Sequence, residues 1–353
     1  MGPRVALMRA AKRLALTALT SDFVTPLLRA WHPRGATIFT LHRFSDPDDG
    51  VVGHSPRALR EHLRYLRKNK YNVLDCGQLI RRLTNAEGFP PRTVAFAVDD
   101  GYYDFWQIAA PIFADYDCPV SVFVTTAFLD GKYWYWWDKL TFALTETART
   151  KVRLVLDEEV VDGEWRSHEE RLAMAAALTT RLKQVPEKRR AVALAKLITA
   201  LDVDIPVAPP RRYSAMSWDQ AISATRSGVS LGPHSVTHPS LPGVDDHTLE
   251  WEITESWRRL VAVSDAAVPV FCYPYGDFGE RECRAVKRAG LLGALSTVED
   301  YVDPRIGNPD SSGSFQAIPR FHYPDNEVHF VEILTGLVRL KRSLPRFGRD
   351  APG

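Results

Sequence analysis

Short apolar runs alternate with amphipathic helical patterns over most of this chain, and that alternation restricts the fold more than any other feature. ATIFTLH (36–42), TVAFAV (93–98), PVSVFVT (119–125), GVSLG (228–232), VPVFCYP (268–274) and LGALST (292–297) have the length and apolar content of buried strands. Between the first two, PRALREHLRYLRKNKY (56–71) puts Leu59, Leu63 and Leu66 on one side of a helix; further helical patterns cover 102–116, 245–263 and 279–290. Such repetition predicts an α/β fold whose parallel sheet is closed, or nearly closed, into a barrel. Barrels of this kind carry their chemistry at the C-terminal ends of the strands. His42, Asp99 and Asp100 stand at such ends.

The segment 131–215 breaks the rhythm. It opens on the aromatic burst KYWYWWD, continues with a hairpin over 151–165 that turns near Asp162-Gly163, and adds helices over 168–184 and 187–201. It reads as a mainly helical insertion within a barrel spanning 36–335. Residues 1–35 repeat Leu7, Met8, Ala11, Leu14, Ala15, Ala18 and Leu19 at helical spacing, an amphipathic helix; 336–353 form a basic tail.

Net charge is +2, so composition alone selects no partner. Basic residues gather at the two ends, which either are solvated or lie on an anionic membrane surface. The central body has no basic stripe, which argues against nucleic acid. No run approaches the ~18 apolar residues of a membrane span, and the uncharged run 14–21 is short for a signal peptide. Four scattered cysteines without a CxxC fit a reducing compartment. The expected location is the cytoplasm, with peripheral contact to the inner face of the membrane through the basic ends.

Two adjacent carboxylates close the run AFAVDDG (95–101). Buried carboxylates are costly unless paired or metal-bound, and neighbours on a strand point to opposite sides, so the two can do different work. PHSVTHP (233–239) places His234 and His238 four apart, where one helical turn or a tight loop can aim both imidazoles at one point. Two histidines and one carboxylate complete the protein ligands of a catalytic zinc.

In order, VDDG (98–101), HSVTH (234–238) and FCYPYG (271–276) resemble the polysaccharide deacetylases, the NodB-homology enzymes of carbohydrate esterase family 4. The resemblance covers about 36–130 and 214–325. TLHRF, followed by a helix and KYNVLD, is similar to the subgroup containing poly-N-acetylglucosamine deacetylases. It implies a distorted (β/α) barrel and a divalent metal, Zn2+ first, with Co2+, Ni2+ or Fe2+ as alternatives. The implied reaction is hydrolysis of N-acetyl groups from amino sugars of a bacterial surface or capsular polysaccharide or its precursor.

By this resemblance Asp100, His234 and His238 are metal ligands, Asp99 the general base, and the backbone N–H of Tyr275 an oxyanion donor. His42 matches the general acid, with His322 as competitor. Arg320 resembles the residue that orients the base. Many members carry an arginine where this chain has Cys272; either Arg320 replaces it, or Asp99 lacks a charge partner. Pro274, Trp136, Trp137, Asp138 and His322 are candidate substrate contacts. The aromatic burst either lines a glycan groove or anchors the insertion, and Asp138 either binds a sugar hydroxyl or caps a helix. The substrate is an N-acetylated glycan or glycolipid. Alternatives are an O-acetyl esterase or cyclic-amide hydrolase on the same barrel, and a catalytically silent glycan-binding barrel.

Overall fold

Alternation along two strands sets the architecture. In β1 (Ala36–Leu41) and β3 (Thr93–Asp100), Phe39, Leu41, Val94, Phe96 and Val98 pack outward into one core, while Ala36, Ile38, Ala95 and Ala97 pack inward into another. Period-2 alternation with small residues inside is what a narrow parallel barrel requires. The computed structural model describes residues 35–131, 133–156, 159–307 and 314–339. The predicted N-terminal helix, and all of the C-terminal tail beyond 339, lie outside them.

The main sheet runs β10 (Phe321–His322), β1, β3, β4 (Val120–Val124), β7 (Val229–Pro233), all parallel, with the short β2 (Asn72–Val73) also on β3. β8 (Val270–Cys272) and β9 (Gly293–Leu295) form a second parallel pair. Parallel bridges Leu231–Ala267 and Leu295–Ile318 carry the ring across both seams. The result is a distorted barrel of seven strands.

Helices cover it outside: α1 (Pro56–Lys68), α2 (Cys76–Thr84), α3 (Ala110–Asp115), α4 (Thr126–Leu129), α5 (Trp136–Glu146), α6 (His168–Leu182), α7 (Glu187–Leu201), α8 (Trp218–Thr225), α9 (Asp246–Val263), α10 (Glu280–Arg288) and α11 (Glu327–Leu334). α1 forms as its sequence predicts. Ser55 accepts the Ala58 N–H at its start, and Leu59, Leu63 and Leu66 are buried, each worth roughly 1.5–3 kcal/mol. The helix expected over 102–116 instead begins with a π-helical turn, Phe105–Ala109, before α3. No helix among the described residues is long and apolar enough to cross a membrane.

In the insertion, α5, α6 and α7 close over a core of their own that includes Leu140, Trp165, Leu178 and Leu197. One expectation fails there. β5 (Lys151–Leu156) and β6 (Glu159–Glu164) pair with Leu156 opposite Glu159, so the chain reverses before Asp162-Gly163, which lie inside β6. Asp-Gly is a strong turn signal, but here Gly163 answers a packing need. A Cβ on it would sit 2.2 Å from Met174 Cε.

Candidate active site

Asp99 follows Ala95 and Ala97 on the inward face of β3 and is 2% exposed. A carboxylate there needs a partner, and Arg320 supplies one. Its Nη1 donates to both Asp99 oxygens at 2.9 Å, and its Nε donates to the Ser296 carbonyl at 3.0 Å. Thr40 Oγ1 adds a longer bond of 3.4 Å. Burial opposes the charge, but the guanidinium outweighs it and holds the Asp99 carboxyl below the usual carboxylate range. Of the two readings open for Cys272, the structure selects the first: Arg320, from the segment entering β10, pairs with Asp99.

Strand alternation would send Asp100 to the outer face. Its φ of 77° breaks the alternation, and Gly101 follows at 90°. Only glycine takes such values freely; a Cβ at Gly101 would also meet Leu129 Cδ1 at 2.9 Å. Both aspartates therefore line one cavity.

His234 and His238 sit on the loop after β7, not on a helical turn, with Ser235 and His238 at positive φ. His238 N–H donates to Ser235 Oγ at 2.9 Å. Glu252 of α9 fixes the loop: it accepts the N–H groups of Val236 and Thr237 at 2.7 and 2.9 Å, and the Thr237 hydroxyl. The Cys272 carbonyl lies 2.7 Å from His234 Nδ1. A carbonyl only accepts, so Nδ1 carries the proton and Nε2 presents its lone pair.

Three atoms then converge. His234 Nε2 and His238 Nε2 are 3.1 Å apart, and they lie 3.5 and 3.6 Å from Asp100 Oδ1. Ligands bound at ~2.1 Å in a tetrahedral site stand about 3.4 Å from one another, so this donor set fits a small divalent cation. His238 Nδ1 is buried with no partner among the described residues. Burial pushes the His238 pKa down, which keeps that imidazole neutral. A second group, Asp99, His234 and Cys272, also falls within ligand reach. Its Asp99 is already held by Arg320, and burial raises the Cys272 thiol away from the thiolate a metal needs.

The cavity around these groups, about 470 Å³, opens at the C-terminal ends of the strands. His42 Nε2 is 3.9 Å from Asp99 Oδ2, with its side chain half exposed. His322 lines the rim. Tyr275 has φ 59°, and its N–H takes no acceptor among the described residues. Pro274 is buried and is not among the lining residues.

The aromatic burst divides between anchoring the insertion and lining the cavity. Trp134 and Tyr135 are buried anchors, whereas Trp136 and Trp137 line the cavity. Trp136 Nε1 donates to the Tyr275 hydroxyl at 2.9 Å, and Trp137 Nε1 to the Tyr102 hydroxyl at 3.0 Å. Asp138 caps nothing; it lies in the first turn of α5 and accepts from Tyr102 at 2.7 Å. Sequence reasoning missed Glu252. The available signal was an acid between Leu249, Ile253 and Leu260 on the buried face of α9.

The polysaccharide deacetylase family model matches residues 178–294. No curated protein matches the chain. Among solved structures, the Streptococcus pyogenes deacetylase PplD in complex with acetate is similar over 87% of this chain and 98% of its own, with a TM-score of 0.54 at 15% identity. A Bacillus anthracis protein proposed to be a polysaccharide deacetylase is similar over 85% of this chain and 69% of its own, with a TM-score of 0.51 at 14% identity. These likenesses show the fold.

Proposed function

We propose, from a chain whose residues 178–294 match the polysaccharide deacetylase family model, a metal-dependent hydrolase that removes N-acetyl groups from the amino sugars of a surface or capsular polysaccharide or its precursor. The observation that carries this reading is the division of the aspartate pair. Asp99 is held by Arg320, while Asp100 turns to two histidines whose nitrogens converge with its oxygen.

Asp100, His234 and His238 would hold the cation, Zn2+ by the donor set. When bound, it would polarise the amide carbonyl and lower the pKa of water. Asp99, kept as a carboxylate and fixed in direction by Arg320, takes the proton of the attacking water. The Tyr275 N–H, left without an acceptor among the described residues by its left-handed turn, donates to the developing oxyanion. His42 gives a proton to the departing amine; its 3.9 Å separation from Asp99 puts acid and base beside the same carbon. Trp136 and Trp137 offer apolar ring surface to the sugar.

The test is acetate release from N-acetylglucosamine oligomers by wild type and Asp99→Asn, before and after chelation and Zn2+ restoration. The expected result is release by wild type, loss on chelation, recovery with Zn2+, and a drop of about 10²–10⁴-fold in Asp99→Asn with metal content unchanged. Release only from O-acetyl sugars or cyclic amides would replace the substrate. Failure to bind metal would leave a glycan-binding barrel.

A further inference from the structure

Two cations of the insertion, Lys183 lining the cavity and Arg190 behind the Trp136 and Tyr275 rings that line it, form no ion pair among the described residues. Lys183, exposed at the end of α6, lines it, and its Nζ is 5.3 Å from the centre of the Tyr275 ring. Arg190, in the first turns of α7, is 5% exposed. Its guanidinium lies 4.8 Å over the Trp136 ring and 5.9 Å from that of Tyr275, and both rings line the cavity. Neither cation forms an ion pair or a hydrogen bond with any described residue. The other arginines near the site are committed: Arg43 to Asp104, Arg320 to Asp99.

An unpaired buried guanidinium is costly, and cation–π contact with two rings offsets only part of that cost. Helix α7 offers no compensation. A cation near a helix N-terminus faces the positive end of the macrodipole. Glu187, exposed in the same turn, acts on the Tyr275 hydroxyl from the solvent side but forms no ion pair with Arg190 among the described residues. The acids of the cavity are engaged too, Asp99 by Arg320, Asp100 by the histidines and Asp138 by Tyr102. The Tyr275 ring stands between the two regions. Its centre is 4.7 Å from that of His238 on one side and 5.3 Å from Lys183 Nζ on the other.

We propose that Lys183 and Arg190 form an anion subsite beside the acetamido pocket, so that the substrate is an anionic glycan bearing a carboxylate or phosphate near the sugar that loses acetate. This rests on the deacetylase reading for its reaction but not for its binding. Carboxylate and phosphate share the chemistry that these two side chains recognise.

The experiment measures binding and turnover separately on the full chain. Three probes are titrated by tryptophan fluorescence: a neutral N-acetylglucosamine tetrasaccharide, a tetrasaccharide alternating N-acetylglucosamine with a uronic acid, and N-acetylglucosamine 1-phosphate. At least one anionic probe should bind about tenfold tighter than the neutral one, and the advantage should shrink between about 0.05 and about 0.5 M salt. Whichever anion gains identifies the source. Lys183→Gln should cut that advantage by about tenfold, and Arg190→Lys should keep more of it than Arg190→Gln. Lys183 is exposed, so its variant guards against misfolding of the Arg190 variants.

Equal affinity for neutral and anionic probes overturns the subsite, as does a Lys183→Gln variant that loses both alike. Acetate release then separates the two ideas. Lys183-dependent anion binding with no acetate from any probe sinks the deacetylase reading and keeps the subsite. Release with a higher kcat/KM on the neutral tetrasaccharide does the reverse.

Discussion

Arg320 and Asp99, 221 residues apart in sequence, form a buried ion pair in which one guanidinium nitrogen sits 2.9 Å from both carboxylate oxygens. The pair has a sign. Arg320 holds the Asp99 carboxyl below its ordinary value. Its stabilisation is therefore fully present above the unfolded value of ~3.9 and is lost as pH falls through the lower folded value. In Arg320→Gln the carboxylate stays buried without its partner. We expect a loss of about 3–5 kcal/mol at neutral pH by urea unfolding. The acid limb of kcat/KM should move to higher pH, since burial alone raises the Asp99 pKa. An unmoved limb would mean that Asp99 is not the base.

Cys272 tests which atoms bind metal. Its carbonyl, not its thiol, orients His234, and a substitution keeps the carbonyl. Cys272→Ala should therefore hold Zn2+ within about threefold of wild type while costing ~1 kcal/mol for the small cavity left. Competition with a fluorescent chelator reads the affinity and a thermal melt the stability. A loss of tenfold or more would make the thiolate a ligand.

Glu252 lies behind the histidine loop and touches no candidate ligand directly; it holds the N–H groups of Val236 and Thr237. Outer partners that orient metal ligands typically carry 10–100-fold in affinity. Glu252→Ala should weaken Zn2+ binding by about tenfold and destabilise by roughly 1–3 kcal/mol through two unsatisfied N–H groups. Glu252→Gln, which keeps a carbonyl acceptor, should fall between. Unchanged affinity in Glu252→Ala would show that the loop holds its shape without it.

The barrel was legible because its strands are short apolar runs, and the site because His42, Asp99, Asp100, His234 and Tyr275 sit where those runs end. What stayed hidden depends on backbone angles and distant contacts. Nothing local says that Asp100 takes φ 77° and so joins Asp99 in one cavity. β10 has two residues, too few for periodicity, yet it borders β1 and follows closely on Arg320. The Asp162-Gly163 signal was outweighed because pairing starts at Glu159 and Met174 needs the space over Gly163. Glu252 has no local mark of its role, which depends on the loop that packs over it.

Asp138 gives a prediction of opposite sign to that for Asp99. Burial is the largest influence on its carboxyl and pushes it up to about 7, against Arg43 and the Tyr102 hydrogen bond. A carboxyl raised on folding binds more protons in the folded state between its unfolded value near 3.8 and about 7. Stability therefore falls as pH rises through that window. A shift of this size corresponds to at most about 4 kcal/mol. Asn at this position keeps a carbonyl for the Tyr102 hydroxyl and cannot ionise. Asp138→Asn should gain on wild type between pH 5 and pH 8, by up to about 3 kcal/mol. Urea unfolding at the two pH values decides. The same difference at both would mean that Asp138 is already charged at pH 5, and that its hydrogen bond to Tyr102 is the bond of a carboxylate.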